Sequence, residues 1–210
     1  MEITNARAES LSVDEVYRLL IGLIVPRPIA WVTSLSLEGV VNLAPFSAFT
    51  YLWAEPPLIG ISVMRRGDEL KDTARNIAAR ADFVVNIADE TLIEPVRLSA
   101  AEHSVDVSEV ELLGLSLVPS LDVVTPRLEC VPAALECGLD QVIPFGGRGA
   151  QLIVGRVRRF HVRGDLLDGG KVVAERLRPL CRIAGPKYAG LGEVRTLAPV
   201  RRDGSHSYST

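Results

Sequence analysis

The chain has 210 residues, 48% of them hydrophobic and 23% charged, with a formal net charge of −3. This is material for one large domain or two small ones with a sizeable core, and it excludes disorder as a description of the whole chain. The slightly acidic balance argues against a general nucleic-acid or anionic-membrane binder, because both need a basic surface, while a local phosphate pocket stays open. Residues 1–10 are polar, with no basic start leading into an apolar run, so no export signal is expected. The most apolar stretch, Leu19 to Val25, is far too short to cross a bilayer. Cys130, Cys137 and Cys181 are an odd set without C-x-x-C spacing and are expected to be core residues of a cytoplasmic protein.

Ser12-Val13-Asp14-Glu15 has the spacing of a capping box, and Val16, Leu19, Leu20 and Leu23 follow at helical intervals, which predicts a helix over 13–24. Pro26 and Pro28 end it and hold the chain extended. From there the pattern is β. Strands are predicted over 29–36 and 40–51, joined by a hairpin turn at Glu38-Gly39, and over 58–64 after Pro56-Pro57. A second helix is expected over 69–80, then a strand over 82–88. Thr91-Leu92-Ile93-Glu94 again has capping-box spacing and predicts a short helix towards Ala101. Residues 103–127 read as loop, followed by long strands over 128–142 and 151–163 with a turn at Pro144 to Gly149. A short helix is expected near 173–180, and the tail 201–210 is expected to fray. Six or seven closely spaced strands with few helices read as a mainly β protein, a β-barrel with peripheral helices, in one domain over 1–200. The strands do not alternate with helices as in a dinucleotide-binding α/β sheet.

Several chemistries lack their residues. There is no phosphate-cradling G-x-x-x-x-G-K-[ST], no third glycine to complete Gly147-x-Gly149, and no H-E-x-x-H or paired-cysteine metal motif. His103 and His206 fall in polar segments and read as surface. His161 lies in a strand-like run beside Arg159 and Arg163; it reads either as a half-exposed strand residue or as a group near a redox site. A denser polar constellation spans 31–76: Trp31, Thr33 and Ser34 on one strand, Asn42, Ser47 and Thr50 on the next, and Lys71-Asp72-Thr73 with Asn76 where the second helix begins. A helix start offers free N–H groups and partial positive charge, so this one could hold a phosphate, or simply be capped and solvated.

The run Pro26-Arg27-Pro28-Ile29-Ala30-Trp31-Val32-Thr33-Ser34, then Gly39-Val40-Val41-Asn42-Leu43-Ala44-Pro45-Phe46-Ser47, resembles the flavin reductase-like, FMN-binding family. Pro56-Pro57-Leu58, Lys71-Asp72-Thr73, Asn76-Ile77, Phe83-Val84-Val85-Asn86, Glu109-Val110-Glu111, Leu135-Glu136-Cys137, Gly155-Arg156-Val157 and Arg182 with Tyr188 continue the similarity in order. The resemblance implies an FMN-binding split barrel, a homodimer, and NAD(P)H-dependent reduction of flavin that serves a partner monooxygenase or another electron acceptor. By position it implies that Trp31, Thr33 and Ser34 line the flavin, that Asn42, Ala44 and Ser47 face its ring or ribityl chain, and that Arg66, Lys71, Asp72 and Thr73 surround the phosphate. His161 is the candidate for the nicotinamide side. NADH or NADPH would be the reductant of that reductase; an FMN-holding electron carrier without a nicotinamide site, or a flavin enzyme acting on one metabolite, would use the same residues.

Overall fold

The computed structural model describes residues 5–146 and 149–198. The expected turn residues Gly147 and Arg148, the tail 201–210 and His206 lie outside these. In chain order the helices are α1 (Val13–Leu23), α2 (Asp72–Arg80), α3 (Ile93–Leu98), α4 (Glu109–Leu112) and α5 (Ala174–Leu177). The strands are β1 (Arg27–Pro28), β2 (Ala30–Leu35), β3 (Val41–Phe46), β4 (Phe49–Ala54), β5 (Pro57–Met64), β6 (Asp82–Ile87), β7 (Leu117–Val118), β8 (Arg127–Leu128), β9 (Ala133–Phe145), β10 (Ala150–Val162), β11 (Leu167–Asp168), β12 (Lys171–Val172), β13 (Cys181–Arg182) and β14 (Tyr188–Ala189). Seven of the strands form one antiparallel sheet in the order β3-β2-β6-β9-β10-β5-β4. The sheet curls because Ser47 and Ala48 carry the chain directly from one edge strand, β3, to the other, β4. The mainly β architecture read from the sequence is what the chain adopts.

The pleat divides β2 between two cores. Ala30, Val32 and Ser34 face inward with their register partners Phe46, Ala44 and Asn42 on β3. Ala30, Val32 and Phe46 join Ile59, Ile61, Val63, Phe83, Val85, Cys137, Ile153 and Val157 in the inner core, which Ala74 and Ile77 of α2 close from one side. Trp31 and Leu43 face outward into a second core with Val96 of α3, Val110 of α4, Leu128 and Leu180. Each fully buried side chain of this kind contributes about 1.5–3 kcal/mol relative to leaving it in water. At Gly155 a Cβ would meet Phe83 Cζ at 2.5 Å, so only glycine lets the Phe83 ring lie against β10.

Local chemistry explains the element ends. Ser12 caps α1 as expected: Glu15 N–H donates to Ser12 Oγ at 3.3 Å, and Ser12 N–H donates to Glu15 Oε2 at 2.8 Å. Gly39 takes φ +90° in the β2–β3 hairpin, a region open to glycine. The strand expected over 40–51 is instead two, because it turns from edge to edge of the curled sheet at Ser47. Helix α2 begins at Asp72, later than expected, since Arg66 and Glu69 pair as an isolated bridge before it. The second capping box does not form: Asp89, two residues upstream, accepts from Thr91 N–H at 2.9 Å and starts a 3-10 turn ahead of α3. The stretch expected as loop contains α4, β7 and β8, and Cys130 is exposed while Cys137 and Cys181 are buried.

Candidate functional site: two clefts at the free edge of β3

As an edge strand, β3 would leave main-chain groups unpaired. Its outer edge is instead covered. Ser108 Oγ donates to Val41 O at 2.7 Å, Leu43 N–H donates to Glu109 Oε2 at 2.9 Å, and the next outward position is Pro45, which has no N–H. Glu109 is therefore a buried carboxylate held against a strand edge. Burial pushes its carboxyl above the usual range, with the N–H groups of Leu43 and of Glu109 itself and the nearby His103 offsetting part of that effect and Asp72 adding to it.

A cleft of about 120 Å³ opens beside this edge, lined by Asn42, Ala44, Pro45, Phe46, Arg66, the Lys71-Asp72-Thr73 start of α2, the Ser99–His103 segment and Glu109. The α2 start has no side-chain cap. Its first N–H groups are therefore free of a side-chain acceptor, next to the partial positive end of the helix. Thr73 Oγ1 accepts from Asn42 Nδ2 at 2.9 Å, which leaves the threonine hydroxyl hydrogen free to donate. Asn42 and Asn76 each direct an amide N–H at Ser34 Oγ, at 3.4 and 3.3 Å. Arg66 is tied to Glu102 at 3.0 Å, whereas the Lys71 ammonium has no ion-pair partner among the described residues.

A second groove, of about 390 Å³, continues on the other side of Pro45, Lys71 and Ala100, which line both clefts. Its further walls are Tyr17 and Ile21 of α1, Arg27, Ile29, Ser47, and the β13–β14 hairpin with Arg182, Ile183 and Tyr188.

Of the residues singled out from the sequence, Asn42, Ala44, Ser47, Arg66, Lys71, Asp72 and Thr73 line these clefts. Trp31, Thr33 and Ser34 line neither. Trp31 is fully buried on the outward face of β2, where its indole N–H donates to Ser99 Oγ at 2.8 Å, so it backs the cleft wall rather than forming it. Thr33, also wholly buried, donates its hydroxyl to Pro126 O at 2.7 Å. Ser34 faces inward and acts on the site only through Asn42 and Asn76.

His161 is not brought to the clefts either. It lies in one lateral row with Ala134, Asn86, Trp31 and Pro45, four strand spacings of about 4.8 Å from the β3 edge. There its Nε2 sits 2.5 Å from Glu136 Oε1, and Glu136 also accepts the N–H groups of Leu121 and Asp122. Burial pushes the Glu136 carboxyl up, but these N–H groups and the His161 ring outweigh it and hold it below the usual range. In the first cleft, sequence reasoning missed Ser99, Ala100, Glu102, His103, read as surface, and Glu109, all from the Ser99–Glu109 connection, which has no periodic pattern to place it. In the second groove it missed the α1, β1 and β13–β14 walls, including Tyr17, Arg27 and Tyr188.

The family profile of the flavin reductase like domain matches residues 22–180. The chain belongs to the flavin reductase-like family. Among solved structures, nitrilotriacetate monooxygenase component B from Bacillus cereus is 39% identical, with a TM-score of 0.91 over 94% of this chain and 100% of that one. The 2-nitrobenzoate 2-nitroreductase of Pseudomonas fluorescens is 36% identical, with a TM-score of 0.85 over 93% of this chain and 96% of that one. A split-barrel domain protein from Shewanella frigidimarina shares the fold at 18% identity, with a TM-score of 0.82 over 94% of this chain and 98% of that one. The curled seven-stranded sheet is thus the split barrel of the family.

Proposed function

We propose that the protein binds FMN along the two clefts and works as an NAD(P)H-dependent flavin reductase that supplies electrons to a partner monooxygenase or another acceptor. The observation that carries this reading is the uncapped start of α2, with the free Lys71 ammonium and the Thr73 hydroxyl around it, in a cleft that Asn42, Ala44 and Pro45 continue. Main-chain N–H groups, a helix dipole and one unpaired cation together suit a phosphate monoester. When bound, FMN supplies the ring that takes up a hydride and hands electrons on.

The work of the chain is to hold and orient. Lys71 and the α2 N–H groups take the phosphate, and the Thr73 hydroxyl donates to it while Asn42 fixes the threonine rotamer. Ala44 and Pro45 let a flat ring lie close to the strand edge, since one has a minimal side chain and the other no competing N–H. Ser47 offers a hydroxyl where the second groove begins. No nucleophile or acid–base pair is required, so positioning provides the rate.

A second copy of the chain belongs to this reading. Helix α1 buries none of its own residues and exposes Val13, Tyr17, Leu19, Leu20 and Leu23, and the β4 edge exposes Tyr51 and Trp53 at 81% and 64%. Apolar surface of this extent marks an interface, and a homodimer covers it symmetrically. The component B relative supports a partner monooxygenase, and the nitroreductase relative supports a second reading in which a bound acceptor is reduced directly. The three free thiols suit a cytoplasmic location.

An anaerobic absorbance scan with FMN, before and after NADH or NADPH, tests the proposal. Uptake of FMN and bleaching by either nucleotide is expected. Flavin that binds but ignores both would favour an electron carrier, and failure to take up FMN would remove the reading.

A further inference from the structure

A third cleft, of about 470 Å³, opens at the end of β10 and shares no residue with the two at the β3 edge. The register of β10 with β5 stops at Arg156, so the strand beyond it has one free side and Phe160 stands 61% exposed. The other wall is the chain that runs from β8 into β9, with Arg127, Glu129, Val131 and Pro132. The β7–β8 ladder continues through Glu129, whose N–H donates to Ser116 O at 3.0 Å, and the intervening Leu128 is buried in the outer core. Arg127 and Glu129 therefore leave the strand on the same side, about 6.6 Å apart after two strand rises. Neither has an ion-pair or side-chain hydrogen-bond partner among the described residues, and Arg127 Nε is buried without an acceptor. The other polar groups of the lining are engaged. Arg163 gives Nε and Nη2 to Asp165 at 2.6 and 3.1 Å. His161 Nε2 faces Glu136, whose carboxyl is held below its usual range, so Nε2 carries the hydrogen and Nδ1 of the neutral ring is an acceptor.

We propose that this cleft binds a free aromatic α-amino acid, with its carboxylate on the Arg127 guanidinium, its ammonium on Glu129 and its ring against Phe160, Val131 and Pro132. A plain anion would meet Glu129 and a plain cation would meet Arg127, so a ligand that carries both charges on neighbouring atoms uses the whole lining. The Arg127 guanidinium has already given up water at Nε and holds no partner in return, so a carboxylate there gains charge-assisted hydrogen bonds at little further desolvation. His161 Nδ1 adds a second acceptor to the lining. The exposed Phe160 ring offers an aromatic face for offset stacking, and the volume is that of a small-molecule site. Because β10 lies four strands from β3 in the sheet, this site does not depend on where or whether FMN binds.

The test is calorimetric titration of the full chain with L-phenylalanine, with 3-phenylpropionate, which lacks the ammonium, and with phenethylamine, which lacks the carboxylate. L-Phenylalanine is expected to bind at least tenfold more tightly than either. Arg127→Met and Glu129→Gln are each expected to lose about tenfold or more in L-phenylalanine affinity, while FMN affinity stays as in the wild type. The two variants should separate by charge: phenethylamine binding survives in Arg127→Met and 3-phenylpropionate binding survives in Glu129→Gln. Glu129 is exposed, so its replacement leaves the fold intact should Arg127→Met misfold. A wild-type protein that does not bind L-phenylalanine, or binds all three compounds equally, would overturn the proposal. So would undiminished L-phenylalanine binding in Glu129→Gln, glycine binding as tight as that of L-phenylalanine, or loss of L-phenylalanine binding in Lys71→Ala, which would move the ligand to the β3 clefts.

Discussion

The split barrel has two free strand edges and treats them in opposite ways. At β3 the main-chain groups are taken up from outside by Ser108 and Glu109, and Pro45 removes the last donor, so the strand cannot pair further and its surroundings become clefts. At β4 no side chain from another element bonds the free edge among the described residues; the strand's own Thr50 hydroxyl donates to Tyr51 O at 3.1 Å, and Tyr51 and Trp53 stand in the open. An edge whose hydrogen bonds are spent on side chains can serve a small ligand, while an edge left bare and apolar invites another protein surface.

The largest effect expected on this contrast comes from beneath the β3 edge. Trp31→Ala removes a fully buried ring and orphans the Ser99 contact, and should cost about 3–5 kcal/mol in urea unfolding. A cost under 1 kcal/mol would mean that the outer core does not support the edge. At the opposite edge, Trp53→Glu should halve the sedimenting mass, on the scale of about 2–4 kcal/mol for an aromatic interface anchor. A wild-type protein that is monomeric at micromolar concentration would instead leave β4 an ordinary exposed edge.

Smaller effects sharpen the chemistry of the clefts. Lys71→Ala should weaken FMN binding by about 1.5–3 kcal/mol, the range for a hydrogen bond to a charged group, and unchanged affinity would remove Lys71 from the phosphate. The smallest concerns Glu109. Because burial raises its carboxyl, the folded protein binds that proton more tightly than the unfolded chain, so its contribution falls as pH rises from the ordinary carboxylate value of about 4.3 through the raised one. Glu109→Gln keeps an acceptor for Leu43 N–H, should flatten that part of the stability profile, and should tighten FMN by about 0.5–1 kcal/mol at neutral pH. An unaltered pH profile in the variant would show that another group titrates there.

Much of this was legible in the residues themselves. The capping box of α1, the hairpin at Gly39, the start of α2 and the family motifs placed most of the first cleft. What escaped has physical causes. From Ala30 to Ser34 every residue of β2 is buried, so the alternation that would tell inward from outward is absent, and Trp31, Thr33 and Ser34 could not be assigned to a face. That His161 lies away from both clefts, against Glu136, follows from the β9–β10 register, which passes through two irregularities that no sequence pattern marks. Glu109 and His103 belong to a connection whose path depends on what it must cover, namely the β3 edge.

Lys71 stands on the ridge that the two clefts share, so a single positive charge answers to two neighbours. An anion settling on one side leaves less of that charge for the other, and this penalty is the same whichever arrives first. Any second anion drawn to this ridge would then meet a charge already partly spent, and would loosen whatever phosphate had claimed it first.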